Sequence, residues 1–115
     1  FPYTTLFRSM GTARQLLAIA WLAGAACASA QEDPAALADA ARCGMCHHGT
    51  QAMLGPSWQA IAERYAGEEG AAELLAQRVR EGSQGVWGEA MMMPTTEEQL
   101  DDAELDRVIA WILDR

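Results

Sequence analysis

The sequence predicts an all-α fold of about four short helices, and three observations carry that reading. Apolar residues recur at helical spacing in several segments, no stretch alternates in and out as a strand does, and glycine or proline marks the segment boundaries. Asp33 and Pro34 supply a capping residue and a first-turn proline, so the alanine-rich run 35–41 predicts a first helix that continues into Cys43. From Gly44 to Gly55 no period holds, and a loop closed by Pro56 is expected. Residues 57–66 place Trp58, Ile61, Ala62 and Tyr65 on one helical face, with Gly67 as the stop. A third helix is expected over 71–81, ending at Gly82. Residues 82–96 hold three glycines and a proline and read as one long irregular loop. The last helix is the clearest: Asp101 and Glu104 form a capping-box start, and Leu105, Val108, Ile109 and Ile112 form an apolar stripe with Trp111 at its margin.

At 115 residues the chain makes one domain at most. Residues 10–30 carry one positive charge, a short apolar run from Leu16 to Cys27 and an Ala-Ser-Ala ending, the three parts of a secretory signal peptide. The apolar run is too short for a membrane span. A lipoprotein reading through Cys27 ranks lower, because the leucine expected three positions earlier is missing. Residues 1–9, upstream of Met10, look like the in-frame translation of a sequencing adapter and are set aside. Cleavage after Ala30 leaves 85 residues, few for a core built from side chains alone, so something else is expected to stabilise the fold.

All sixteen acidic residues and six of the eight basic ones lie in 31–115, a net charge of −10 without a single lysine. Such a surface argues against nucleic acid and anionic membrane as partners and for a basic or apolar face on another protein. Two cysteines, Cys43 and Cys46, remain after cleavage. In an exported chain a pair usually means a disulfide, so their neighbours decide the matter.

Those neighbours complete Cys43-Gly44-Met45-Cys46-His47, a C-x-x-C-H, the attachment sequence of c-type haem. Within one helical turn, positions i, i+3 and i+4 share a face, so two thiols and an imidazole address one planar ligand. The thiols would add to the haem vinyl groups and His47 would ligate the iron. A porphyrin's apolar surface would also supply what so short a chain lacks. A thioredoxin-like dithiol expects a βαβ context that is missing here. A zinc site needs four ligands where only two cysteines and two adjacent histidines exist.

His48 is tied to the same side of the ring as His47 and is given no role, so no histidine is left for the iron's sixth position. A methionine thioether suits Fe(II) there. Met45, Met53, Met91, Met92 and Met93 are the inventory, and the three in succession on the glycine-rich loop are favoured.

Taken together, Cys43–His47, Leu54-Gly55-Pro56, Ala76-Gln77-Arg78-Val79, the run from Gly82 to Gly88 and the final helix resemble the short bacterial class I cytochromes c, most closely the c-551 type. The resemblance covers residues 31–115 and implies the cytochrome c fold, short helices wrapped around one covalent haem. It implies an axial methionine at Met92, four residues after the glycine of Val86-Trp87-Gly88. The family flanks that methionine with prolines where this chain has Met91 and Met93, so Met93 stays the alternative. The resemblance further implies that the Pro56 carbonyl accepts a hydrogen bond from the proximal imidazole and that Arg78 and Trp87 donate to a haem propionate. Thr95 stands where the family often has asparagine.

The chain is therefore expected to be a monomeric, periplasmic one-electron carrier rather than an enzyme, working between redox proteins such as membrane cytochrome complexes and a terminal reductase or oxidase. A gas-binding sensor with a displaceable methionine and a haem subunit of a dehydrogenase or peroxidase are the competing readings.

Overall fold

The computed structural model describes residues 30–115; the readings of 1–9 as adapter and of 10–30, save Ala30, as signal peptide lie outside the described residues. Four α-helices succeed one another along the chain: α1 Pro34–Ala40, α2 Trp58–Tyr65, α3 Ala71–Glu81 and α4 Asp102–Leu113. Among the described residues no helix is long and apolar enough to cross a membrane.

Helix α4 is the hub, packing on α1, α2 and α3 in turn. Its start is the expected capping box: the Asp101 carboxylate accepts from the Glu104 amide at 2.8 Å, and the Glu104 carboxylate accepts from the Asp101 amide at 2.9 Å. Leu105, Val108, Ile109 and Ile112 are all buried, with Trp111 half-buried beside them. They meet Leu37 and Ala38 from α1, Trp58, Ile61 and Tyr65 from α2, and Leu100 just before α4. Helix α2 begins on Ser57, whose hydroxyl accepts from the Ala60 amide at 3.0 Å.

Two expectations need correction. The first helix does not run into Cys43. It stops at Ala40, Arg42 adopts a left-handed conformation with φ of 64°, and Cys43–Met45 form a separate 3₁₀ turn. The loop 82–96 is not wholly irregular either. Ser83–Gln84 (β1) and Met91–Met92 (β2) form a two-stranded antiparallel ribbon, with Ser83 opposite Met92 and Gln84 opposite Met91. Two-residue strands are too short for an alternating pattern to register in a sequence.

Arg80 fastens the segment that follows this ribbon to the helices. Its guanidinium donates to the carbonyls of Thr95 and Leu100 and pairs with Asp102 at 2.7 Å, while the Thr95 amide donates to the Val79 carbonyl at 2.8 Å.

Candidate haem-binding crevice

The Cys43–His47 turn forms one wall of a crevice. The amides of Cys46 and His47 both donate to the Cys43 carbonyl, at 3.1 and 3.0 Å, so the segment closes in a single turn. Both cysteines are unpaired thiols, and both line one cavity with His47. Burial pushes the Cys43 thiol up from its ordinary value, and nearby Asp39 adds to the shift.

His47 is held on two sides. Its Nδ1 donates to the Pro56 carbonyl at 2.7 Å, which leaves Nε2 without a proton and free to ligate a metal. Burial lowers the imidazole pKa more strongly than the Pro56 contact raises it, and the neutral ring is the form that binds iron. One face of the ring stacks on Trp58 at 4.6 Å and 24°, and Trp58 in turn meets the edge of Trp111 at 5.7 Å. A Cβ at Gly55 would stand 2.8 Å from His47 Cε1 and 3.1 Å from Nδ1. Only glycine lets the Gly55-Pro56 backbone approach the ring so closely.

The ribbon forms the opposite wall. Met92 is half-buried, whereas its neighbours Met91 and Met93 are 61 % and 70 % exposed. Within β2, alternation explains the difference between Met91 and Met92, since consecutive strand side chains point to opposite faces. Gly82, at φ 78°, is needed beneath the ribbon, because a Cβ there would come within 2.6 Å of the Met92 carbonyl.

Two adjoining cavities of about 70 and 420 Å³ share His47, Pro56, Ser83, Trp87 and Met92. Arg78 lines the smaller one, so the structure brings together all seven residues singled out in the sequence. The Arg78 guanidinium donates to the Tyr65 hydroxyl and lies 5.8 Å from that ring. The single salt bridge among the described residues is Arg80–Asp102, so no carboxylate neutralises Arg78 there.

Sequence reasoning missed three neighbours. Arg64 lies 4.4 Å over the Trp87 ring and donates to the Val86 carbonyl at 2.7 Å, pinning the loop that carries Trp87. Tyr65 orients Arg78, and Trp58 backs His47. Helical spacing marked Trp58 and Tyr65 as core; nothing local marked Arg64. His48 is exposed, as expected, and its ring nitrogen accepts from the amides of Thr50 and Gln51.

These residues fit a haem: two thiols and a neutral imidazole on one wall, a thioether on the other, an apolar floor and one guanidinium without a counter-charge. Among the described residues no three His, Cys, Asp or Glu side chains gather as metal ligands, so a zinc site finds no support there.

The family model for cytochrome c matches residues 32–115. A cytochrome c2 from Rubrivivax gelatinosus is 50 % identical over 80 residues, 70 % of this chain and 94 % of that protein. A cytochrome c-551 from Pseudomonas aeruginosa is 39 % identical over 82 residues, covering 71 % of this chain and 76 % of that protein. In structure the chain is similar to the crystal structure of cytochrome c552 from Nitrosomonas europaea, with a TM-score of 0.65 and 36 % identity over 70 % of this chain and 96 % of the other.

Proposed function

Because the chain belongs to the cytochrome c family, whose members carry electrons on covalent haem c and are not enzymes, we propose that it is a periplasmic monohaem carrier serving respiratory partners. The observation that supports this reading best is the pairing of walls: His47, fixed through Pro56, and Met92 line the same two cavities.

In this reading Cys43 and Cys46 anchor the porphyrin through thioethers, and His47 Nε2 and Met92 Sδ hold the iron. Haem c supplies one-electron chemistry between two iron oxidation states. The chain's part would be to supply both a nitrogen and a sulfur to the iron from His47 and Met92, leaving no room for a substrate at the metal. Met92 is chosen over Met93 because it alone of the three consecutive methionines is not exposed. Arg78, steadied by Tyr65, and Trp87, steadied by Arg64, are the donors that offset the desolvation of a propionate.

The rim around the crevice suits a transient protein partner. Residues 43–57 and 90–96 contain no Asp, Glu, Lys or Arg, while all sixteen acidic residues lie elsewhere. A partner with an apolar patch surrounded by basic residues is complementary to that layout.

The test is an optical spectrum of the exported protein in both oxidation states, with extraction into acidified organic solvent. Pigment that stays with the polypeptide, together with a far-red sulfur-to-iron band when oxidised, is expected. Colourless protein or extractable pigment overturns the reading, and carbon monoxide uptake by the reduced protein at neutral pH would favour a displaceable methionine. The mass of the mature protein checks the location, with an N-terminus at Gln31 as the expected result.

A further inference from the structure

The apolar rim of the crevice has an unusual composition. Met45 is 64 % exposed, Met53 56 %, Met91 61 % and Met93 70 %, and with Leu54 these are all the exposed large hydrophobic residues described. Met92 is the one methionine in residues 30–115 held back from solvent. Methionine is ordinarily spent on filling irregular gaps in a core, and here four of five fill none.

Leucine would give the same apolar area without the sulfur. A thioether adds one reactivity that leucine lacks: a peroxide transfers an oxygen atom to it. The S–O bond forms as the peroxide O–O bond breaks, sulfur loses two electrons, and the peroxide is reduced to water. The product is a strongly polar sulfoxide, which a dithiol-driven methionine sulfoxide reductase returns to thioether with release of water.

Three of the four exposed methionines line the crevice or the groove beside it, and the fourth belongs to the turn that forms its wall. Met91 and Met93 line the larger cavity beside Leu54, Met53 lines the groove that shares Leu54 and Trp87 with it, and Met45 sits between the two cysteines. We propose that Met45, Met53, Met91 and Met93 form a peroxide-modifiable rim whose oxidation turns the docking face from apolar to polar while Met92 behind it is spared. The proposal rests on the carrier reading. It adds to that reading a reversible means of uncoupling the protein from its partners under oxidant, with the cofactor's own ligand left intact. Four sulfoxide dipoles at the rim must each shed water to meet an apolar surface, which works against docking.

The experiment uses the haem-loaded protein on a gold electrode bearing a methyl-terminated alkanethiol monolayer, an apolar surrogate for the partner. Native protein is compared with a variant carrying M45L, M53L, M91L and M93L, each before and after a limited dose of hydrogen peroxide, with peptide mass spectrometry locating the added oxygen. Each rim sulfur is expected to oxidise about tenfold faster than Met92, and the adsorbed wave of native protein to fall about tenfold. The wave returns after treatment with the reductase and a dithiol. The leucine variant, whatever its starting wave height, is unmoved by the same dose. Oxidation of Met92 as early as the rim, survival of the native wave after rim oxidation, or equal loss in the variant overturns the proposal. Absence of any wave from untreated native protein, adsorbed or in solution, overturns the carrier reading itself.

Discussion

The helical half of this molecule and the two loops that wall the crevice are held by different forces. Among the described residues every buried apolar side chain lies in α1, α2, α3 or α4 or at Leu100, and none lies in residues 39–56 or 82–96. The loops add only partly buried contacts such as Cys43 and Trp87 to the core, and are fixed chiefly by individual polar and stacking contacts: Gly55 amide to Cys46 carbonyl at 2.9 Å, His47 to Pro56 and Trp58, Arg64 to Val86 and Trp87, and Arg80 to Thr95. One half is therefore stabilised by its own packing, and the other is shaped to close on a cofactor that supplies the missing apolar surface. Damage to either half should leave a different signature.

The largest effect is expected from Cys43→Ser combined with Cys46→Ser. No residue of the four helices is changed, yet virtually all pigment should become extractable into acidified solvent and thermal stability should collapse. Retention of covalent pigment would break the contrast. Next comes Leu105→Ala, at the 2 % exposed centre of the core. A loss of about 2–5 kcal/mol is expected in denaturant titration of the haem-loaded protein, with the visible spectrum unchanged under native conditions.

Met92→Leu should do the reverse. The far-red band disappears and the reduction potential falls by on the order of a tenth of a volt, while Met93→Leu leaves both in place. A band lost only in Met93→Leu would reassign the ligand. The smallest effect belongs to Asp101→Ala, which removes one side of the capping box and should cost about 1 kcal/mol of stability without any optical change.

The same contrast explains what was legible in the sequence. Helices α2 and α3 end within a residue of their expected bounds and α4 starts at its expected cap, because amphipathic spacing and caps are local signals written into consecutive residues. The C-x-x-C-H turn was equally legible, since its chemistry depends on a fixed short spacing. Arg42 was not: a left-handed arginine has no sequence mark, and the helix was extended through it. The ribbon was missed for its brevity, and the Arg64–Trp87 contact because it joins α2 to a loop more than twenty residues on. Methionine choice was the intermediate case. The sequence narrowed it to neighbours, and burial in the folded chain then separated one half-buried methionine from two exposed ones.

The stack of Trp58 on His47, braced by the edge of Trp111, with Trp87 lining the same crevice, puts every indole of residues 30–115 next to or one ring away from the porphyrin's seat. A bound haem would drain excitation from all three, leaving the native protein nearly dark under ultraviolet light. Emission would brighten as the chain opens or the pigment is lost. The molecule thus carries its own lamp for following assembly, one that lights only when the two halves come apart.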